Sequence, residues 1–315
     1  MQVFKRESTK SHCVGALWPD FLGEVELRES FIIETESCDP NGPIAISGIK
    51  ASDNIAVHIE AIEMVGPFYA PNGGPFHEGC GDMVPLEYRD GYFYWPKHFR
   101  LKAKPSVGNV AILPKKTDEV MEAIKEFNYG GRQWKNEIGW RRVVRHPRDK
   151  NCHQDGFAIT AGSVVHFKAQ VDQAGICLDD VHGYIGQGEM AFAGIEVQAK
   201  VQVRVERSTD WHVDWPIIET ENEIMVFSSY TSTYIHRPKL EYVDIVREAY
   251  RAMREVVAAK IGGTIEEANT IVATAVDIKN CALYGLKGFI SQEESPETSD
   301  IAVVASLPKD VLVVN

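Results

Sequence analysis

The stretch Asp179-Asp180-Val181-His182-Gly183-Tyr184-Ile185-Gly186-Gln187-Gly188-Glu189 holds three carboxylates, one imidazole and three glycines within eleven residues. If its first half is a strand, Asp180 and His182 project from the same face, because side chains alternate along a strand. The glycines allow backbone angles that other residues resist, so Glu189, at the start of a following strand, would reach back to the same point. The pattern predicts a shaped polar site; a surface turn with an unrelated histidine is the alternative.

A second polar cluster, Cys152-His153-Gln154-Asp155, lies upstream of this stretch. The residues between the two clusters, 157–171, have the pattern strand, turn, strand, and two adjacent strands would bring both clusters to one end of a sheet. Imidazole and carboxylate are the ligands of catalytic zinc, and a spare carboxylate can transfer a proton. We therefore expect a metal held by Asp155, His182 and one of Asp180 or Glu189.

The two remaining roles, third ligand and general base, leave two assignments open. Glu189 is taken first as the base with Asp180 as a ligand, and the reverse assignment fits the same sequence. His153 would extend the metal site or bind substrate, or it is a solvent-facing loop residue. Zinc is the expected ion, although manganese, iron and calcium accept overlapping sets of these donors.

Further segments add a resemblance to a known family. Asp180-Val181-His182, Gly186-Gln187-Gly188-Glu189 and Gly194-Ile195-Glu196 match, in order, the signature Gly-Asp-x-His-Ala-x-Gln-Gly-Asp-Gly-Glu followed by a strand ending in Ile-Glu. This signature is that of the acetamidase/formamidase family of amide hydrolases, which the chain resembles. Four other segments are similar to family motifs in the family's order: residues 105–114, 152–155, 161–163 and 305–311.

The resemblance implies a fold, an activity and partners. The fold is a β-sandwich-like core joined to a smaller α/β portion, and the activity is metal-dependent hydrolysis of a short aliphatic amide or a small lactam. A homodimer or higher homo-oligomer is also implied, and the aromatic segment 230–234 is a candidate contact surface. Asp277 matches a family aspartate after the last helix, where it would either support the metal ligands or bind loop amides.

Three departures from the family pattern lie at or beside the expected site. Asp179 stands in place of a glycine, Gln187 in place of an aspartate, and His153 in place of an asparagine. Gln187 and His153 could still support the ligands through hydrogen bonds. The departures keep two alternatives open: a non-hydrolytic metal-binding relative, and a metal enzyme of another class, such as a lyase or decarboxylase.

Composition narrows the class of protein. The chain has 315 residues, of which 44% are hydrophobic and 25% charged, as is usual for globular proteins. Its formal net charge of -12 makes nucleic acid and anionic membranes poor partners, and no apolar run approaches the ~20 residues of a membrane span. The N-terminus lacks a signal-peptide core and the six cysteines form no Cys-x-x-Cys pair, so we expect a cytoplasmic protein with free thiols.

The hydrophobic pattern predicts an α+β fold that is predominantly β. Residues 54–62 and 196–205 alternate apolar and polar side chains with the period of a half-buried strand. An apolar stripe with helical spacing follows over 241–261, and Thr264-Ile265-Glu266-Glu267 is a capping box that opens a second helix to about residue 276. We expect a mostly β domain over 1–235 that carries the metal site, with a helical hairpin and closing strand over 236–315 packed on its sheet.

Overall fold

Short runs of β-branched and aromatic residues, the types enriched in strands, occupy most of the chain before residue 232. The structure is a computed structural model, and it describes residues 1–6, 18–36, 41–72, 83–95, 99–122, 154–189, 193–208, 213–231, 241–282 and 300–312. Strands predominate in these residues and helices pack beside them, so the α+β, predominantly β fold class is confirmed.

Sixteen strands and two long helices are found in these ranges. The strands are β1 (Gln2–Phe4), β2 (Gly23–Val25), β3 (Ser30–Thr35), β4 (Asn41–Ile46), β5 (Asn54–Pro71), β6 (Met83–Arg89), β7 (Tyr92–Trp95), β8 (Phe99–Lys102), β9 (Ser106–Ile112), β10 (Val164–Lys168), β11 (Ile176–Tyr184), β12 (Ile195–Arg207), β13 (Ile217–Glu219), β14 (Glu223–Thr231), β15 (Asp277–Ala282) and β16 (Asp300–Pro308). The helices are α1 (Tyr242–Ile261) and α2 (Ile265–Ala275), and a short 3-10 turn follows at Lys309–Val311.

Strand β12 is the middle of the sheet, as its clear alternation suggests. Every second residue from Ile195 to Val205 is buried, and the polar residues between them are half-buried. It pairs antiparallel with β5 on one side and with β3 and β11 on the other. The strand order through the sheet is β15-β16-β14-β13-β10-β5-β12-β11-β4-β2, and β9 pairs with β11.

The two helices cover the end of the sheet formed by β14 and β16. The apolar stripe of α1 is buried there, including Ile245, Met253 and Val256. Gly262 ends α1 in the left-handed conformation that glycine adopts without strain. Thr264 then caps α2 by accepting a hydrogen bond from the Glu267 backbone N–H, which confirms the expected capping box.

Two expectations about the connections differ from the structure. Residues 157–159 form no strand, and β10, the one strand found between the two polar clusters, does not lie beside β11, because β5 and β12 separate them. A short helix is found at 118–122, and the residues that follow it lie outside the described residues. Most of the segment 230–234 also lies outside them, and the division at residue 235 stays a prediction.

Glu219, at the end of β13, ties the helical end to the sheet. Its carboxylate contacts Lys260 of α1 and Lys309 of the 3-10 turn, each at 3.0 Å, and His166 of β10 at 3.4 Å. Burial alone would raise the pKa of the Glu219 carboxyl, but the hydrogen bonds from these three side chains outweigh burial and hold that pKa well below its usual value. The Glu219 carboxylate is therefore ionised in the folded protein near neutral pH, and in this form it joins β13 to β10, α1 and the 3-10 turn.

The Glu219→Gln variant should lower the free energy of unfolding by about 1–3 kcal/mol near neutral pH, because a charge-assisted network loses its central anion. The folded-state pKa is depressed, so the contribution is present above the unfolded value of 4.5 and is lost as the pH falls through the folded value. Urea unfolding across a pH series measures both effects. The exposed neighbour Glu221, changed to Gln, is the control; an unchanged stability at neutral pH in Glu219→Gln would contradict the assignment.

Candidate metal centre

Strand β11 presents His182 and Asp180 between two neighbouring strands. His182 lies opposite Ser106 of β9 and opposite Glu196 of β12. Asp180 has a φ of 60°, in the left-handed region that residues other than glycine seldom occupy. Backbone strain of this kind costs about 1–3 kcal/mol and concentrates at functional sites. The strain at Asp180 therefore supports a functional role for this residue.

Asp155 reaches β11 by a route that differs from the expected one. It lies in a non-strand segment that runs along β9, and the side chain of Gln154 fixes this segment. The Gln154 amide accepts from the Val110 N–H at 3.0 Å and donates to the Val110 carbonyl at 3.1 Å. Further along, the Val107 N–H donates to the Ile159 carbonyl at 2.8 Å. A side-chain amide thus takes the place of a strand partner for β9, which is why residues 154–159 need not form a strand.

Gly108 of β9 leaves the space in which these elements meet. A Cβ at this position would collide with Asp155 Oδ1, and it would lie 2.6 Å from the Asp180 carbonyl oxygen and 3.1 Å from His182 Cε1. Distances below 3.4 Å are tighter than ordinary carbon contacts. The three polar residues can therefore approach one another only around a residue that has no side chain.

Asp155, Asp180 and His182 form a compact, buried group. Each offers one ligand atom, and these atoms lie within 4.8 Å of one another. His182 Nδ1 is 3.8 Å from Asp155 Oδ1, and His182 Nε2 is 3.8 Å from Asp180 Oδ1. The three residues are at most 2% exposed, so the group is shielded from bulk water.

The electrostatics of the group favour a cation. Burial by itself lowers the pKa of the His182 imidazole, but the carboxylates of Glu196, Asp180 and Asp155 outweigh it and raise that pKa to about 10. A buried carboxylate is costly unless positive charge compensates it. Two carboxylates and one imidazole are also a donor set that divalent metals accept. The residues present therefore fit a divalent metal ion.

Glu189 does not belong to this group. Its carboxylate is not among the ligand atoms that lie within 4.8 Å of one another. Glu189 itself lies in no strand, and residues 190–192, which follow it, lie outside the described residues. It is 6% exposed and has a φ of 42°, a second residue with a strained backbone. Burial raises the pKa of the Cys281 thiol, and the carboxylates of Asp155 and Glu189 raise it further. Both carboxylates therefore lie close enough to the buried Cys281 to influence its pKa.

The other predicted site residues have different positions. Gln187 is half-buried, and its Nε2 lies 4.0 Å from Cys281 Sγ, so it lies beside the same buried cysteine. Asp277 is exposed at the start of β15. His153 lies outside the described residues. Asp179 is 1% exposed and lies opposite Asn109 of β9, so the carboxylate that replaces the family's glycine is buried beside Asp180.

Glu196 contacts His182, although the sequence analysis did not place it in the site. Its Oε1 lies 3.0 Å from His182 Nε2 and accepts the Gly194 N–H at 3.0 Å. The motif Gly194-Ile195-Glu196 was visible in the sequence, but its cross-strand position opposite His182 was not. The pairing of β11 with β12 supplies that information.

Replacing Gly108 with alanine should displace Asp155 and lower the metal content of the purified protein to well below that of the wild type. The physical reason is the collision of the new Cβ with Asp155 Oδ1. Metal analysis by mass spectrometry, with circular dichroism to verify folding, measures the effect. Gly186→Ala is the matched control, because a Cβ there meets no atom within 4 Å; full metal content in folded Gly108→Ala would refute the packing argument.

Comparison with solved structures confirms the fold. An acetamidase from Yersinia enterocolitica superimposes with a TM-score of 0.73 at 18% identity, covering 99% of this chain and 93% of that one. A predicted acetamidase/formamidase from Thermoanaerobacter tengcongensis gives 0.72 at 18% identity, with 94% and 92% covered. A gamma lactamase from Delftia acidovorans gives 0.53 at 16% identity, with 94% and 88% covered.

Sequence comparison gives the family. Among curated protein sequences, none matches this chain significantly. None of the helices in the described residues is long and apolar enough to cross a membrane. The sequence model of the acetamidase/formamidase family, however, matches residues 95–280, which is more than half of the chain and includes Asp155, Asp180, His182 and Glu189. The chain therefore belongs to the acetamidase/formamidase family.

Proposed function

We propose that this protein is a metal-dependent amide hydrolase that acts on a short aliphatic amide, with release of ammonia, or on a small lactam. Membership of the family supports amide hydrolysis as the reaction class. The observation that carries the metal dependence is the buried group of Asp155, Asp180 and His182, whose ligand atoms lie within 4.8 Å of one another.

Asp155, Asp180 and His182 are proposed to hold the ion. A divalent metal bound there supplies Lewis acidity, which polarises an amide carbonyl and makes water more acidic. The protein contributes a rigid setting: Gln154 anchors Asp155 to β9, and the β11 backbone carries the other two ligands. Because these side chains are almost fully buried, their charges act in a medium of low dielectric constant, where electrostatic stabilisation is strong.

Glu189 is proposed as the general base. It accepts a proton from water while the water oxygen forms a bond to the carbonyl carbon, and it then returns the proton to the nitrogen as the C–N bond breaks. A primary amide yields a carboxylic acid and ammonia, whereas a lactam yields a ring-opened amino acid without free ammonia. The Glu189 carboxylate lies outside the compact group of ligand atoms, so in this proposal it is not occupied by the metal and can transfer a proton. The exchanged assignment, Asp180 as base and Glu189 as ligand, remains the alternative.

A second candidate function is supported by Asp179. This buried carboxylate lies directly beside Asp180 where the family has a glycine, and an additional negative charge there changes the electrostatics of the site. A non-hydrolytic metal-binding relative, or a metal enzyme such as a lyase or decarboxylase, would result if the change abolished or redirected the chemistry. Zinc as the ion, a homodimer or higher homo-oligomer, and a cytoplasmic location stay predictions from the sequence.

Metal removal should abolish turnover of formamide, acetamide or a small lactam, and restored zinc or manganese should recover it. Ammonia release measures the first two substrates, and ring opening followed by chromatography measures the lactam. The physical reason is that the carbonyl loses its Lewis acid. Turnover that survives complete chelation would overturn the metal dependence, and a metal-loaded protein that turns over none of these substrates would favour the second candidate function.

Two substitutions separate metal binding from proton transfer. His182→Ala should lose both bound metal and turnover, because it removes a ligand. Glu189→Gln should keep the metal and reduce kcat about 10²–10⁴-fold, the usual contribution of a general base.

Metal analysis alongside the kinetic assay distinguishes these outcomes. His58→Ala is the control, because His58 contacts Glu206 on the far part of β12. Retention of metal in His182→Ala would disprove the ligand set, and loss of metal in Glu189→Gln would favour the exchanged assignment.

A further inference from the structure

The contact between Glu196 and His182 is more closely constrained than an ordinary ion pair. The two residues are direct cross-strand neighbours on β12 and β11. Their closest atoms, Glu196 Oε1 and His182 Nε2, are 3.0 Å apart, and the imidazole is fully buried. An imidazole nitrogen and a carboxylate oxygen at this distance in a buried setting attract each other strongly, which restricts the position of the ring.

The carboxylate of Glu196 is itself held in place. The Gly194 N–H donates to the same Oε1 atom at 3.0 Å. Gly194 must be a glycine for the ring to fit, because a Cβ there would lie 2.7 Å from His182 Cδ2 and 2.8 Å from the Tyr184 carbonyl oxygen. The backbone therefore sets the position of Oε1, and Oε1 sets that of the ring.

The two nitrogens of His182 consequently face different groups. Nε2 lies 3.0 Å from Glu196 Oε1 and 3.8 Å from Asp180 Oδ1, while Nδ1 lies 3.8 Å from Asp155 Oδ1. Glu196 is thus the nearer of the two carboxylates to Nε2. Glu196 does not belong to the compact group of ligand atoms formed by Asp155, Asp180 and His182. A histidine that binds a metal through one nitrogen commonly donates its other N–H to a carboxylate, which fixes the tautomer and makes the bound nitrogen a better ligand.

We propose that Glu196 is a positioning residue that accepts the Nε2–H of His182 and thereby makes Nδ1 the nitrogen that binds the metal. The proposal rests on the metal site proposed above. It adds to that site a residue and a choice of ring nitrogen that determine how tightly the metal is held.

Direct evidence would come from ¹¹³Cd-loaded protein labelled with ¹⁵N-histidine. The scalar coupling between cadmium and one ring nitrogen identifies the bound atom, and the two nitrogens are distinguished by their couplings to the ring protons. Since the chain has ten histidines, the His182 signals are assigned by their loss in His182→Asn. Coupling to Nδ1 is expected, and coupling to Nε2 would overturn the proposal.

Zinc affinity, measured by competition with a chelator, tests the role of the carboxylate. Glu196→Ala should weaken zinc binding about 10–100-fold, the usual effect of removing a carboxylate that orients a metal-binding histidine. Glu196→Gln should restore most of the affinity, because its amide oxygen can accept both the Gly194 N–H and the Nε2–H. A merely structural role would not be rescued selectively in this way.

Glu206→Ala is the matched control, since Glu206 is on the same strand and makes a comparable contact, 2.6 Å, with His58. It should keep wild-type zinc affinity. Unchanged affinity in folded Glu196→Ala, or affinity as weak in Glu196→Gln as in Glu196→Ala, would overturn the proposal. If the variants do not fold, the cadmium measurement on the wild type still decides. Wild-type protein that takes up no metal would instead refute the metal site itself, and no readout here depends on amide turnover.

Discussion

The absence of a side chain at Gly108 lets β9, β11 and the segment around Asp155 approach to contact distance. That approach places two carboxylates and an imidazole in a space with almost no access to water. Buried charges of one sign repel one another, so the arrangement requires compensating positive charge. A proton on His182 gives a partial solution, and a divalent ion bound there would give a fuller one. The missing side chain at Gly108 thus has two effects: it allows the three polar side chains to approach one another, and their burial together favours a compensating cation.

The same principle of charge compensation operates at the other end of the molecule with a different result. Glu219 is largely buried too, but two lysines and a histidine surround it, so its charge is fully used in joining β13 to α1 and the 3-10 turn. At the metal centre the balance is reversed, with several carboxylates around a single imidazole. The contrast separates a structural cluster from one suited to binding an ion, although both contain carboxylates and a histidine.

Much of the fold could be predicted from local patterns, and the site only in part. Periodicity indicated β12, α1 and α2 because each depends on neighbours within one element. Asp180 and His182 were predictable together because two residues on one strand share a face. Asp155 was expected on an adjacent strand, and no local rule indicates that the Gln154 side chain would take the place of backbone pairing. Glu196 was missed because its role exists only through the register of two strands.

The proposed metal centre also has a consequence for how the protein folds. Its parts come from β9, from the segment at 154–160, from β11 and from β12, so they meet only after pairings between residues far apart in the chain have formed. Contacts between residues far apart in the chain slow folding, because the chain must first be closed over a long loop. A metal that binds the completed arrangement, and not its separate pieces, stabilises the finished fold alone. An ion bound there would then stabilise only those chains in which all of these strand pairings have formed correctly.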